Sequence, residues 1–185
     1  MSQLESETKP ILLSLMADTP IILNQDEVLI LAQWITLKVI VAEHDGGDYV
    51  VTPNEQRKEF KSSLTIPPNF NIWLAKFDDG NEGVAYVRET NTCRILSADT
   101  SLNELNNNLL TVTLGQESRN IQIVTFSVGK IIVHVRHSTL ANFDFESPHS
   151  AIQLYPITAS FSWPPPQRLS RIEAGRLARL LTETI

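Results

Sequence analysis

The sequence predicts an α+β domain, and three observations carry that prediction. Apolar residues recur at helical spacing through the first 66 residues, the period changes to alternation from Asn71, and a helical pattern returns after Trp163-Pro164-Pro165-Pro166. The expected architecture is N-terminal helices, an antiparallel meander sheet and a C-terminal helix. It is read as one domain over 1–185, mainly helical over 1–66, mainly stranded over 71–162, and closed by a helix at 170–184.

Each element has a local reason. Ser2 to Ala17 carries Leu4, Ile11, Leu12 and Leu15 at roughly helical spacing, with Pro10 marking a kink or a fresh start. After Ile21-Ile22-Leu23, Asn24 with Glu27 three residues on forms an N-cap and its reciprocal partner. The helix starting there should run to about His44 and stop at Gly46-Gly47. Its apolar residues, Val28 through Val41 and including Trp34, surround most of its circumference, which predicts a central helix with Trp34 buried. A third helix should begin at Thr52-Pro53-Asn54-Glu55, with Thr52 as cap and Glu55 completing the box, and end near Leu64 before Pro67-Pro68.

Strands follow. Asn71–Phe77 and Val84–Glu89 read as a pair around the turn Asp78-Asp79-Gly80-Asn81, and Thr92–Ser97 and Leu109–Leu114 as two more. The clearest hairpin joins Asn120–Val128 to Ile131–His137 through Gly129-Lys130, where glycine at the first central position fits a type II′ turn. That turn sets Val128 against Ile131, Phe126 against Val133 and Val124 against Val135, an all-apolar face. The opposite face, with Thr125 against His134 and Ile123 against Arg136, is expected to be wetter. Ile152–Ser162 reads as one or two short extended segments. Ser170 with Glu173 caps the last helix, and Ile172, Leu177, Leu180 and Leu181 form its apolar side.

Composition narrows the function classes. Hydrophobic residues are 42% and charged residues 19%, as in a globular chain. A net charge of -6 argues against broad phosphate-backbone binding, without excluding a local basic patch. Cys93 is alone, so neither an internal disulfide nor a cysteine-based zinc site forms within one chain. The acidic Leu4-Glu5-Ser6-Glu7 does not resemble a secretory leader, and the apolar stretch Val28–Ala42 is too short and too polar for a membrane span. A cytoplasmic protein without membrane contact, cofactor or metal is the expectation.

No run of residues forms a catalytic signature, so candidate sites are weighed one by one. His134 and His137 lie three apart on a strand and point to opposite faces, which prevents them from sharing a metal. His134 with Arg136 is a candidate polar binding face, against the commoner case of a solvated strand histidine. His44, Asp45 and Asp48 cluster at a helix end and form a candidate hydrolytic group, against a histidine simply favoured by the helix dipole. Asp78, Asp79, Asn81 and Glu82 offer oxygen ligands but match no calcium-loop spacing. Cys93 reads as a buried structural thiol. Arg168, Arg171 and Arg179 fall on one side of the terminal helix. This stripe suits phosphates or an acidic partner, against the solvated side of an amphipathic helix.

Several landmarks together resemble a known group. They are Leu4-Glu5 with Pro10-Ile11-Leu12, the helix Leu31-Ala32-x-Trp34-x-x-x-Lys38 ending near Glu43, Pro67-Pro68 before Trp73-Leu74, Gly129, Leu154-Tyr155-Pro156 and Trp163-Pro164-Pro165. Their order resembles the C-terminal region of bacterial and phage proteins that carry an N-terminal zinc-binding, HNH-nuclease-like module. In those relatives the residues resembling Met1–Glu5 follow the zinc module. The resemblance therefore implies the accessory part alone, and no catalytic residue is carried over. The expected function is a non-catalytic binding or accessory domain in a bacterial or phage nucleic-acid-processing or defence context. Its expected partners are a protein or a second copy, or nucleic acid through the arginine stripe. The alternatives are a small acidic inhibitor docking on a nucleic-acid-handling complex, and a hydrolase using His44, Asp45 and Asp48.

Overall fold

The structure, a computed structural model, describes residues 3–45, 50–78, 86–91, 120–140, 147–148, 151–158 and 160–178. Among them the α+β class holds. In chain order they form α1 (Gln3–Met16), β1 (Ile21–Leu23), α2 (Gln25–Asp45), α3 (Asn54–Ser63), β2 (Phe70–Lys76) and β3 (Tyr86–Asn91). Then come β4 (Ile121–Val128), β5 (Ile131–Ser138), β6 (Ile152–Tyr155), β7 (Phe161–Trp163) and α4 (Arg171–Leu177).

The helix ends follow their local chemistry in two cases and depart from it in one. Asn24 and Glu27 exchange side-chain-to-backbone hydrogen bonds at 2.9 and 3.0 Å, and Ser170 and Glu173 form the expected capping box. Thr52 does not cap α3. Pro53 occupies the cap without a side-chain bond, and the Thr52 hydroxyl is instead 2.7 Å from the Glu43 carboxylate on α2. A buried carboxylate offers a charge-assisted bond, which outweighs a neutral cap at the surface. Leu64 closes α3 in the left-handed conformation at φ 57°. Helix α1 runs unbroken through Pro10.

The main sheet has the order β3-β4-β5-β2-β6 with antiparallel pairings. Strands β3, β4 and β5 are a meander, but β2 and β3 are not the pair expected around Asp78–Asn81, because β4 and β5 lie between them. Short-range turn signals favour sequential pairing, and a strand order set by the whole core overrides them. The β4–β5 register is the expected one, including Phe126 against Val133 and Thr125 against His134. Gly129 takes φ 58° at the turn. A separate two-stranded sheet pairs β1 with β7. The expected strands at 92–97 and 109–114, with Cys93, lie outside the described residues.

One sheet face, built from Phe70, Ile72, Leu74, Val124, Val133 and Val135, packs into the core with α1 and α2. The other face was expected to be wetter, and it is not. Ile123, Thr125, His134 and Arg136 are all buried. Ala75 and Ile132 on this face pack against Leu169 and the α4 residues Ala174 and Leu177. Residue alternation assigns polar side chains to one face, but whether that face is wet depends on what covers it.

Helix α2 is central, with Val28, Leu31, Ala32, Ile35, Val39 and Ile40 buried, yet it is not enclosed. Leu29 and Val41 are exposed and Trp34 is only partly buried, which corrects the expectation of a buried Trp34. Lys38 Nζ lies 5.3 Å from the Trp34 ring centroid and 3.3 Å from Glu5, so a cation with its ion pair occupies that side of the ring.

Candidate functional site

The two sheet histidines organise the polar chemistry of the interior. Both sit on β5, and the odd spacing between them sends His134 to the α4 side and His137 to the α2 side.

On the α4 side, His134 is fully enclosed. Arg136 Nε donates to His134 Nε2 at 2.9 Å, and His134 Nδ1 is 2.8 Å from Thr125 Oγ1. Because an arginine nitrogen can only donate, Nε2 accepts, and the neutral ring carries its proton on Nδ1 and donates it to Thr125. Burial, and secondarily the Arg136 charge, push the pKa of His134 down to about 3. Trp73 completes this group: its ring centroid lies 5.8 Å from that of His134 and 5.5 Å from the Arg136 guanidinium carbon. The Trp73 indole N–H donates to Ser147 at 3.0 Å. His134 and Arg136, read from sequence as a candidate polar binding face, are therefore brought together as expected but inside the protein.

On the α2 side, one oxygen of Glu43 gathers three donors. These are the Thr52 backbone N–H at 3.2 Å, the Thr52 hydroxyl at 2.7 Å and the Gln122 side-chain amide. Gln122 Oε1 accepts from Arg88 Nε at 3.4 Å, which fixes the amide with nitrogen toward the carboxylate and oxygen toward the guanidinium. That same amide nitrogen lies 3.5 Å from His137 Nδ1, the outer limit of a hydrogen bond. Nδ1 must accept, so the proton of neutral His137 sits on Nε2, the opposite tautomer to His134. Burial pushes the pKa of His137 to about 3 as well. Its ring stacks on Phe70 at a centroid distance of 4.2 Å. His137 Nε2 and Glu43 Oε2 are buried without a hydrogen-bond partner.

The remaining candidates are near the surface. His44 is exposed, and its Nε2 accepts from Arg57 Nη1 at 2.9 Å. The side chain of Asp45 and all of Asp48 lie outside the described residues, so the expected hydrolytic cluster is located only through His44. Asp78 is exposed, whereas Asp79, Asn81 and Glu82 lie outside the described residues. Among the described residues, no group of three His, Cys, Asp or Glu side chains is placed to hold a metal ion. No helix among them is long and apolar enough to cross a membrane.

The arginine stripe is altered by the capping of α4. The helix starts at Arg171, so Arg168 precedes it and is not on its surface. Arg168 is exposed, and its Nη2 lies 3.7 Å from Asp18 Oδ2. The side chain of Arg171 and all of Arg179 lie outside the described residues. Ile172, expected on the docking side of this helix, is 70% exposed. Asp18 also forms an ion pair with the buried Lys76. Its hydrogen bond to Lys76, with the charges of Lys76, Arg168 and Lys130, holds its carboxyl below the usual range despite some opposing desolvation.

Sequence reading missed Glu43, Thr52, Gln122, Lys76 and Asp18 as members of these groups. A charged residue at an inward position was the available signal. Lys76 continues the Ile72, Leu74 series of β2, and Glu43 follows Val39 by one helical turn. No protein-family model, curated protein or solved structure matches this chain.

Proposed function

We propose that the chain is a binding or accessory domain rather than a catalyst, serving nucleic-acid processing or defence in bacteria or phage. The observation that supports binding over catalysis is the state of the two sheet histidines. Both are buried with pKa values near 3. A general acid or base works best with a pKa close to the working pH, so these rings serve as packing and hydrogen-bonding groups. Arg168, exposed beside Asp18, is the candidate contact residue whose position is described; Arg171 and Arg179 join it as sequence-based candidates. The bacterial or phage setting rests on the order of landmark residues described above, including Trp73-Leu74 and Leu154-Tyr155-Pro156.

Two measurements test this reading. Purified protein incubated with single- and double-stranded DNA and RNA, with and without divalent cations, is expected to leave them intact. Cleavage abolished by His44→Ala would replace the reading with the hydrolase. The setting is tested on the coding sequence upstream. An in-frame Cys-x-x-Cys module or neighbouring nucleic-acid-processing genes support it, and a locus of unrelated metabolic genes contradicts it.

A further inference from the structure

We propose that the outward face of α2 is a self-association surface, on which a second copy of the chain lays its own α2 antiparallel across a two-fold axis. The core takes one side of this helix, where Val28, Leu31, Ala32, Ile35, Val39 and Ile40 are buried. At about 100° per residue the opposite side carries Glu27, Ile30, Trp34, Leu37, Val41 and His44. They are separated alternately by three and four residues, the spacing of a coiled-coil seam. The central residues of this line are apolar, yet none is buried: Ile30, Trp34 and Leu37 are half-buried and Val41 is 52% exposed. Polar contacts flank it on both sides. Lys38 reaches Glu5 on α1 at 3.3 Å, and Gln33 Nε2 donates at 3.1 Å to the Leu64 carbonyl at the end of α3. An apolar line with a polar border is the composition of a protein interface.

The order of residues along the line selects the occupant. The spacing is the same read from either end, and its centre lies between Trp34 and Leu37. A two-fold axis there sets Trp34 against the second copy's Leu37, Ile30 against its Val41, and Glu27 against its His44. The end pair is complementary in hydrogen bonding and needs no excess of charge. Glu27 gives Oε2 to the Asn24 N–H and keeps Oε1 as an acceptor. His44 Nε2 accepts from Arg57, so the neutral ring carries its proton on Nδ1, where it can donate. The guanidinium behind the ring strengthens that donor. A parallel arrangement would instead face Glu27 with Glu27. Antiparallel packing also sets the positive end of each helix dipole beside the negative end of the other. The pairing goes beyond the accessory-domain reading and does not depend on it.

The test is sedimentation equilibrium of the full chain over roughly 1–200 μM, where a small interface associates, with acrylamide quenching of tryptophan fluorescence over the same series. Trp73 and Trp163 are buried, so quenching reads Trp34. A reversible monomer–dimer equilibrium is expected, with quenching that falls as dimer forms. Val41→Glu alters an exposed position and should weaken dimerisation about tenfold or more, because each new carboxylate would face the apolar Ile30 of the other copy. His44→Glu, also at an exposed position, sets like charges at both ends of the seam and should weaken it by a similar factor. Circular dichroism confirms that each variant is folded, and either one alone suffices as a readout. Dimerisation indifferent to both substitutions places the contact elsewhere and overturns the proposal. A monomer at every concentration, with Trp34 equally open to acrylamide throughout, also overturns it and leaves the stripe to a different chain. Both results leave the accessory-domain reading intact.

Discussion

His134 and His137 stand on the same strand, share a pKa near 3 and occupy opposite sheet faces, but their surroundings are not equally complete. His134 uses both ring nitrogens, one toward Thr125 and one toward Arg136. His137 has one long contact to Gln122, an unpartnered Nε2 and a stacked Phe70. One histidine is held by hydrogen bonds and the other mainly by shape. Burial alone therefore says little about why a polar residue is kept; the partners decide it.

Among single substitutions, the largest expected effect lies in the network beside His137. Glu43→Ala leaves three donors from Thr52 and Gln122 facing a void, and should lower unfolding free energy by about 3–4 kcal/mol. Chemical denaturation reads this directly. A loss below about 1 kcal/mol would mean that the donors find other acceptors.

Acidification comes next. Both histidine pKa values fall from about 6.5 in the unfolded chain to about 3 in the fold, so between those values the unfolded state binds more protons. Stability is then fully present above about pH 6.5 and declines as pH falls toward 3, by up to about 1.4 kcal/mol per pH unit for each ring. Asp18, also lowered, adds its own loss only below the ordinary carboxylate range. Denaturation midpoints between pH 7 and 4.5 isolate the histidines, and a flat profile there would contradict their burial in the neutral form.

Paired substitutions sharpen the contrast. His134→Phe strands the Arg136 and Thr125 groups and should cost about 2 kcal/mol. Trp34→Ala should cost about 1–2 kcal/mol, below the roughly 3–5 of an enclosed tryptophan, because the ring is only partly buried, with Lys38 beside it. His137→Phe should be nearly neutral, since it keeps an aromatic ring on Phe70 and removes an unpartnered polar atom. Equal losses at the two histidines would end the distinction between them.

Legibility of the sequence divides along the same line. The Gly129 hairpin, its register, and the Asn24 and Ser170 caps were readable because the information is local: a turn residue, alternation, and a three-residue spacing. The odd spacing of His134 and His137 likewise announced their opposite faces. What the sequence did not reveal depended on distant partners. Thr52 looked like a cap until Glu43 claimed it, and β2 looked like the partner of β3 until β4 and β5 intervened. The Thr125, His134 and Arg136 face looked wet because nothing in its own alternation reports a second covering layer. Arg168 joined the helix stripe by spacing alone, although the capping box starts the helix after it.

The most direct measurement is a long-range nitrogen–proton NMR spectrum of the imidazole rings, recorded from pH 7.5 to 5 on folded protein. It reports protonation and tautomer of each ring separately. The account predicts that both stay neutral throughout, His134 with its proton on Nδ1 and His137 with its proton on Nε2. Titration of either ring near pH 6.5, or the same tautomer at both, would contradict it.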